Sequence, residues 1–214
     1  TANVGITTSG VNSFINGNFS GSVMVTSTGG TADATGGNAD ASAFATGVDQ
    51  LIGGALSGSV IAIATGGSAT ADGTTNALAR ATAVNGGVTG VISGLISAIA
   101  TGGLENAVTD IDAEAFAIDG AGGDLSFEGA TVLAQAFEND GTTRLEDRSY
   151  AINNANDVFF DAGMNRVLGQ IQSVNSVSVT SGTLLPIRTV NVDAPVTVAA
   201  AGGLSFELFG GSLE

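Results

Sequence analysis

Asp110, Asp112 and Glu114 alternate along the chain, and the acidic, glycine-rich run Asp119-Gly-Ala-Gly-Gly-Asp124 follows closely. On an extended strand successive side chains point to opposite faces, so the three alternating carboxylates share one side. Calcium takes roughly six to eight oxygen ligands from carboxylates and backbone carbonyls, and a glycine-rich loop lets carbonyls turn towards an ion. Asp110, Asp112, Glu114, Asp119 and Asp124 are therefore the candidate calcium ligands, calcium being the one cofactor the sequence suggests. Glu138-Asn139-Asp140-Gly141 is a second acidic turn of the same kind. Neither run has the fixed ligand spacing of an EF-hand loop, and both also read as a solvated strand face with ordinary turns.

Other site chemistry lacks its residues. The chain has no His, no Cys and no Lys. That removes Ser-His and Cys-His nucleophiles, Schiff-base and Ser-Lys chemistry, and the usual zinc and iron ligands. A pair of carboxylates acting as acid and nucleophile on a polysaccharide is what remains of catalysis. Some of 20 scattered acids lie close by accident, so the expectation is a protein without enzymatic activity. Against those acids stand 5 arginines, giving a net charge of −15. Nucleic acid is not an expected partner, because phosphate binding needs clustered cations. The sequence opens on Thr1 rather than methionine, which fits a signal peptide already removed and an extracellular or cell-surface location. Asn18-Phe19-Ser20 is a single glycosylation sequon.

The elements that must carry these residues are repeats. Val11, Phe14, Ile15, Gly17, Phe19, Ser20, Gly21, Ser22 and Val23 recur 37 residues later as Val48, Leu51, Ile52, Gly54, Leu56, Ser57, Gly58, Ser59 and Val60. The apolar set Val48, Leu51, Ile52 and Leu56 returns as Val88, Val91, Ile92 and Ile96, and more weakly as Met164, Val167, Leu168 and Ile171. A degenerate copy is expected near Leu125 and Phe127. One unit of this size cannot bury its own apolar face, so copies must stack. Residues 1–214 thus read as a single body of about five degenerate repeats, near 11–47, 48–87, 88–124, 125–163 and 164–200. Strand-like segments, Thr1 to Thr8 and Leu204 to Leu208, lie at the ends.

Alternation predicts strands within each unit. Val60 to Gly67 and Ile96 to Gly103 are near copies, and Val132 to Phe137 takes the same place further on. Alanines alternate at 39, 41, 43 and 45, again at 77, 79, 81 and 83, and at 113, 115 and 117. Each set lays a row of methyl groups on one side of a sheet, the mark of a tightly stacked interior. An offset of 68 residues carries Gly73 through Asn85 onto Gly141 through Asn153 and lays Arg80 on Arg148. Asp72-Gly73 and Asp140-Gly141 supply turns. The fold class predicted is all-β, a β-solenoid-like stack, with an antiparallel β-sandwich or meander as the alternative. One short helix is predicted near 158–172, where Phe160, Met164, Val167, Leu168 and Ile171 share a helical face.

Charged residues make up 12% and aromatics 5% of the chain, and Gly totals 33, so small side chains must fill the core. The windows Gln50 to Ala71 and Ala81 to Leu104 are long enough to cross a bilayer. They are rich in Thr, Ser, Asn and paired Gly and repeat as strand, so no membrane span is expected. The texture of small alternating residues with Gly, Asn and Asp corners resembles that of secreted bacterial repeat adhesins and surface fibres. Low charge and strand-like ends favour addition of a like chain. The function expected is a non-enzymatic, self-assembling extracellular structural protein, the subunit of a filament, tube or surface layer held by β-strand contacts. A secreted adhesin or binding module for glycan or ice is the alternative.

Overall fold

The computed structural model describes residues 1–106, 113–119, 122–181, 183–186, 192–198 and 203–204. Their strands stack in parallel sheets, so the chain is a β-solenoid rather than an antiparallel sandwich or meander. One long side is the sheet Ile6–Val11, Ala43–Val48, Ala79–Asn85, Ala113–Asp119, Ser149–Asn153 and Gln170–Gln172. The opposite long side is Ser22–Thr28, Ser59–Thr65, Leu95–Thr101, Thr131–Phe137, Met164–Leu168, Thr183–Pro186 and Gly203–Leu204. A corner sheet, Val91–Ile92, Leu125–Glu128, Asp157–Ala162, Ser176–Val179 and Val196–Val198, joins the two. Two three-stranded sheets form a thin lobe: Thr31–Ala34, Ser68–Ala71 and Leu104–Glu105 against Ala2–Asn3, Ala39–Asp40 and Thr75–Asn76.

The register shows two kinds of turn. Ser22 pairs with Ser59, Ser59 with Leu95 and Leu95 with Thr131, steps of 37, 36 and 36 residues, and Thr131 pairs with Arg166 at 35. These four steps are the wide turns. Met164 then pairs with Thr183 and Thr183 with Gly203, steps of 19 and 20. What disappears is the lobe. After Thr131–Phe137 a turn at Asp140, an antiparallel bridge between Phe137 and Arg144 and a 3-10 turn, Glu146–Arg148, take its place. After Met164–Leu168 the chain passes directly to Gln170–Gln172 through Gly169, whose φ is 119°.

Columns of equivalent residues make the core, because parallel register sets each copy above the last about 4.8 Å away. Val11, Val48, Val84, Ile118, Ile152, Ile171 and Val192 form one column, and Phe19, Leu56, Ile92, Phe127, Phe160, Val179 and Val198 another. The Phe127 and Phe160 rings stack with centroids 5.2 Å apart. The expected degenerate copy at Leu125 and Phe127 is in this corner sheet. Between the long sides lie alanines, among them Ala45, Ala62, Ala64, Ala81, Ala98 and Ala100, all buried. Ala32, Ala39, Ala41, Ala69, Ala71 and Ala77 form a separate small core inside the lobe.

The lobe joins the body at a waist only glycine fits. Gly67 N–H donates to the Ala41 carbonyl and Gly103 N–H to the Ala77 carbonyl, both at 2.9 Å, so chains leaving and returning touch backbone to backbone. A Cβ on Gly67 would overlap the Gly30 carbonyl oxygen, and one on Gly66 the Ala77 oxygen. Thr-Gly-Gly therefore recurs at 28–30, 65–67 and 101–103. The far end of the lobe is closed by side chains: Asn106 Nδ2 donates to the Ala71 carbonyl at 2.9 Å, its Oδ1 accepts from Ala71 N–H at 3.0 Å, and Glu105 Oε1 accepts from Ala77 N–H.

Two expectations need correction. Residues 158–172 are not a helix but fall within three strands, Asp157–Ala162, Met164–Leu168 and Gln170–Gln172, separated by Gly163 (φ 70°) and Gly169. Their three- and four-residue apolar spacing comes from a chain winding round a narrow turn. Val88 stacks on Ile52 rather than Val48, and Ile96 on Val60 rather than Leu56. The apolar positions 48, 52, 56 and 60 recur every four residues, so the alignment slipped by one such step.

Candidate functional site

The alternating alanines fix which residues reach solvent on the first long side. With Ala43, Ala45, Ala79, Ala81, Ala113 and Ala115 inward and buried, the residues between them face outward. Thr7, Phe44, Arg80 and Glu114 form one outer column, and Ser9, Thr46, Thr82, Phe116 and Tyr150 the next. A third column runs Asn85, Asp119, Asn153.

Charges on this face are paired along the stack. Arg80 Nη2 lies 3.1 Å from Asp119 Oδ2, and Arg148 Nη1 lies 3.3 Å from Glu114 Oε1. Asn153 Nδ2 donates to Asp119 Oδ1 at 2.7 Å, and Asn85 Nδ2 to Asp49 Oδ1 at 2.6 Å. Amides thus alternate with carboxylates, avoiding the repulsion of like charges directly opposite. The Arg80 guanidinium also sits over the Phe116 ring at 4.5 Å, and Phe116 stacks on Tyr150 at 4.7 Å with 14° between planes. Burial against this stack pushes the Tyr150 hydroxyl above its ordinary pKa, so it remains a neutral hydrogen-bonding group. Thr7, Phe44, Thr46, Thr82 and Asn85, with the Arg80–Asp119 pair, line an open groove of about 430 Å³.

The sequence-predicted calcium ligands are spread out. Asp110 and Asp112 lie outside the described residues. Glu114 and Asp119 project from one strand five residues apart, each against its own arginine. Asp124 belongs to the corner, where it accepts from Asn156 Nδ2 at 2.6 Å and Asp157 N–H at 3.3 Å. Among the described residues no three acids converge as a metal would require. At the second acidic turn, Asp140 accepts from Thr142 N–H, Thr143 N–H and Thr143 Oγ1, at 2.7, 2.7 and 2.6 Å. Those donors hold its carboxyl far below the usual carboxylate range. Asn18, of the sequon, accepts from Ala55 N–H at 2.9 Å through its side chain.

Phe44, Thr46, Thr82 and Phe116 were not legible as a site. The available signal was their position between alanines, which names the outward residues once the strand is known. The match of Arg80 to Arg148 was correct: its 68-residue offset is two register steps of 34. No family model matches the chain, and neither a curated protein nor a solved structure matches it. No described helix is long and apolar enough to cross a membrane.

Proposed function

We propose that the chain is a non-enzymatic extracellular structural protein that self-associates by β-strand contacts into a larger filament, tube or layer. One observation carries this reading: the outer edge of Ser22–Thr28 is paired with no described strand. Gly21 C=O accepts from Ser59 N–H at 2.9 Å and Gly29 N–H donates to Thr65 C=O at 2.8 Å, so the odd-numbered residues face the neighbouring strand. Parallel ladders alternate, and Met24 and Thr26 therefore turn their N–H and C=O groups the other way. Such an edge templates a further strand. Within residues 1–38 Asp33 is the sole charged side chain, so copies meeting here escape the repulsion that a net charge of −15 imposes elsewhere.

Thr26→Pro tests the proposal, because proline removes an outward N–H and none of the inward hydrogen bonds. Sedimentation velocity should show association of the 214-residue chain with rising concentration, and a single species for Thr26→Pro over the same range. A parent chain that stays monomeric throughout overturns the reading.

A further inference from the structure

We infer that the groove on the first long side binds a neutral glycan. Its walls offer both things a sugar ring presents. The ring of Phe44 supplies an apolar surface for the C–H face of a pyranose. Thr7, Thr46 and Thr82 supply hydroxyls that donate and accept, and Asn85 and Arg80 supply planar donor groups for the hydroxyls of the sugar. A small number of fixed polar groups beside an aromatic wall is the general form of a ligand site.

The site is also rigid before any ligand arrives. Asp119 and the Phe116 ring hold the Arg80 guanidinium from two directions, while that side chain remains 40% exposed. Each of these residues stands on a strand of a continuous parallel sheet, so binding orders little that is not already ordered. Charge decides between classes of sugar. The arginine at the groove is neutralised by Asp119, Arg148 further along by Glu114, and the chain carries −15 in all. At this groove a uronic or sulfated chain would find its one lining arginine, Arg80, already paired, and would meet a repelling field.

The test is an NMR titration of the 214-residue chain with a panel of neutral and uronic oligosaccharides. Amide shifts should move for at least one neutral sugar and be confined to Ile6–Val11, Ala43–Val48, Ala79–Asn85 and Ala113–Asp119. Phe44→Ala should weaken that binding about tenfold, the effect of losing roughly one aromatic contact. Thr46→Trp fills the groove from an outward position and should abolish binding with the melting temperature kept, which preserves the test if Phe44→Ala does not fold. Silence towards every neutral sugar at millimolar concentration, shifts on another face, or preference for the uronic chains overturns the inference.

Discussion

The wide turns before residue 149 and the narrow turns after it build the same core column from very different lengths of chain. Val84 reaches Ile118 through 34 residues, whereas Ile171 reaches Val192 through 21. In the wide turns that carry the lobe two sheets face each other over alanines, and the chain makes a detour through a lobe whose apolar core is buried alanine with Val4 packed against it. In the narrow turns three short strands wrap larger side chains, Phe160, Val177, Leu184 and Val196. The contrast teaches that the apolar columns dictate the stack and the lobe is an addition to it. Burying an alanine methyl gains little, on the order of 0.8 kcal/mol. The lobe therefore depends on the fit at its waist more than on its core.

The sharpest way to break that contrast is Gly67→Ala. A methyl there meets the Gly30 carbonyl, which belongs to backbone and cannot swing away. The expected loss is more than about 4 kcal/mol, within the range reserved for forced backbone strain, read by chemical denaturation. Gly36→Ala, at the lobe tip, meets nothing within 4 Å and pays only for its φ of 70°, about 1 kcal/mol. Equal effects at the two sites would mean the waist is not tightly closed.

Phe160→Ala probes the other region. Removing this fully buried ring from its stack on Phe127 should cost about 3–5 kcal/mol and, because neighbouring turns support one another, open the narrow turns first. Limited proteolysis should then cut within 157–198 while 1–106 resists. Uniform cutting would show that the two regions unfold as one.

The smallest effect is at the turn that replaces the lobe. Asp140 has a depressed folded-state pKa, so its contribution is present above the ordinary value of 3.8 and is lost as pH falls through the lower folded value. Exchange of the Thr142 and Thr143 amides should therefore accelerate only in strong acid, and Asp140→Asn should remove that pH dependence with little change in melting temperature. Loosening near neutral pH would contradict the hydrogen-bonding scheme.

Much of the fold was legible because one physical signal repeats. The 37-residue match from Val11 to Val60 is the register observed between the first two turns, and the alanine rows named the buried face. Errors arose where that signal is ambiguous. An apolar residue every fourth position fits a helix, a solenoid corner and a slipped copy of itself, which is why 158–172 read as helix and Val88 was laid on Val48. The site was less legible because it is built across turns. Phe44 and Arg80, and likewise Thr46 and Thr82, lie 36 residues apart and become neighbours only through the register of the parallel sheet. The acidic runs are more conspicuous in the sequence, although Glu114 and Asp119 each answer an arginine a full turn away.

Hydrogen exchange across Ser22–Thr28 as a function of protein concentration tests the assembly edge most directly. The outward amides of Met24 and Thr26 should exchange freely in dilute solution and become protected as copies add strand to strand, while Ser59–Thr65 stays protected at every concentration. Exchange at Met24 and Thr26 that does not respond to concentration would contradict assembly through this edge.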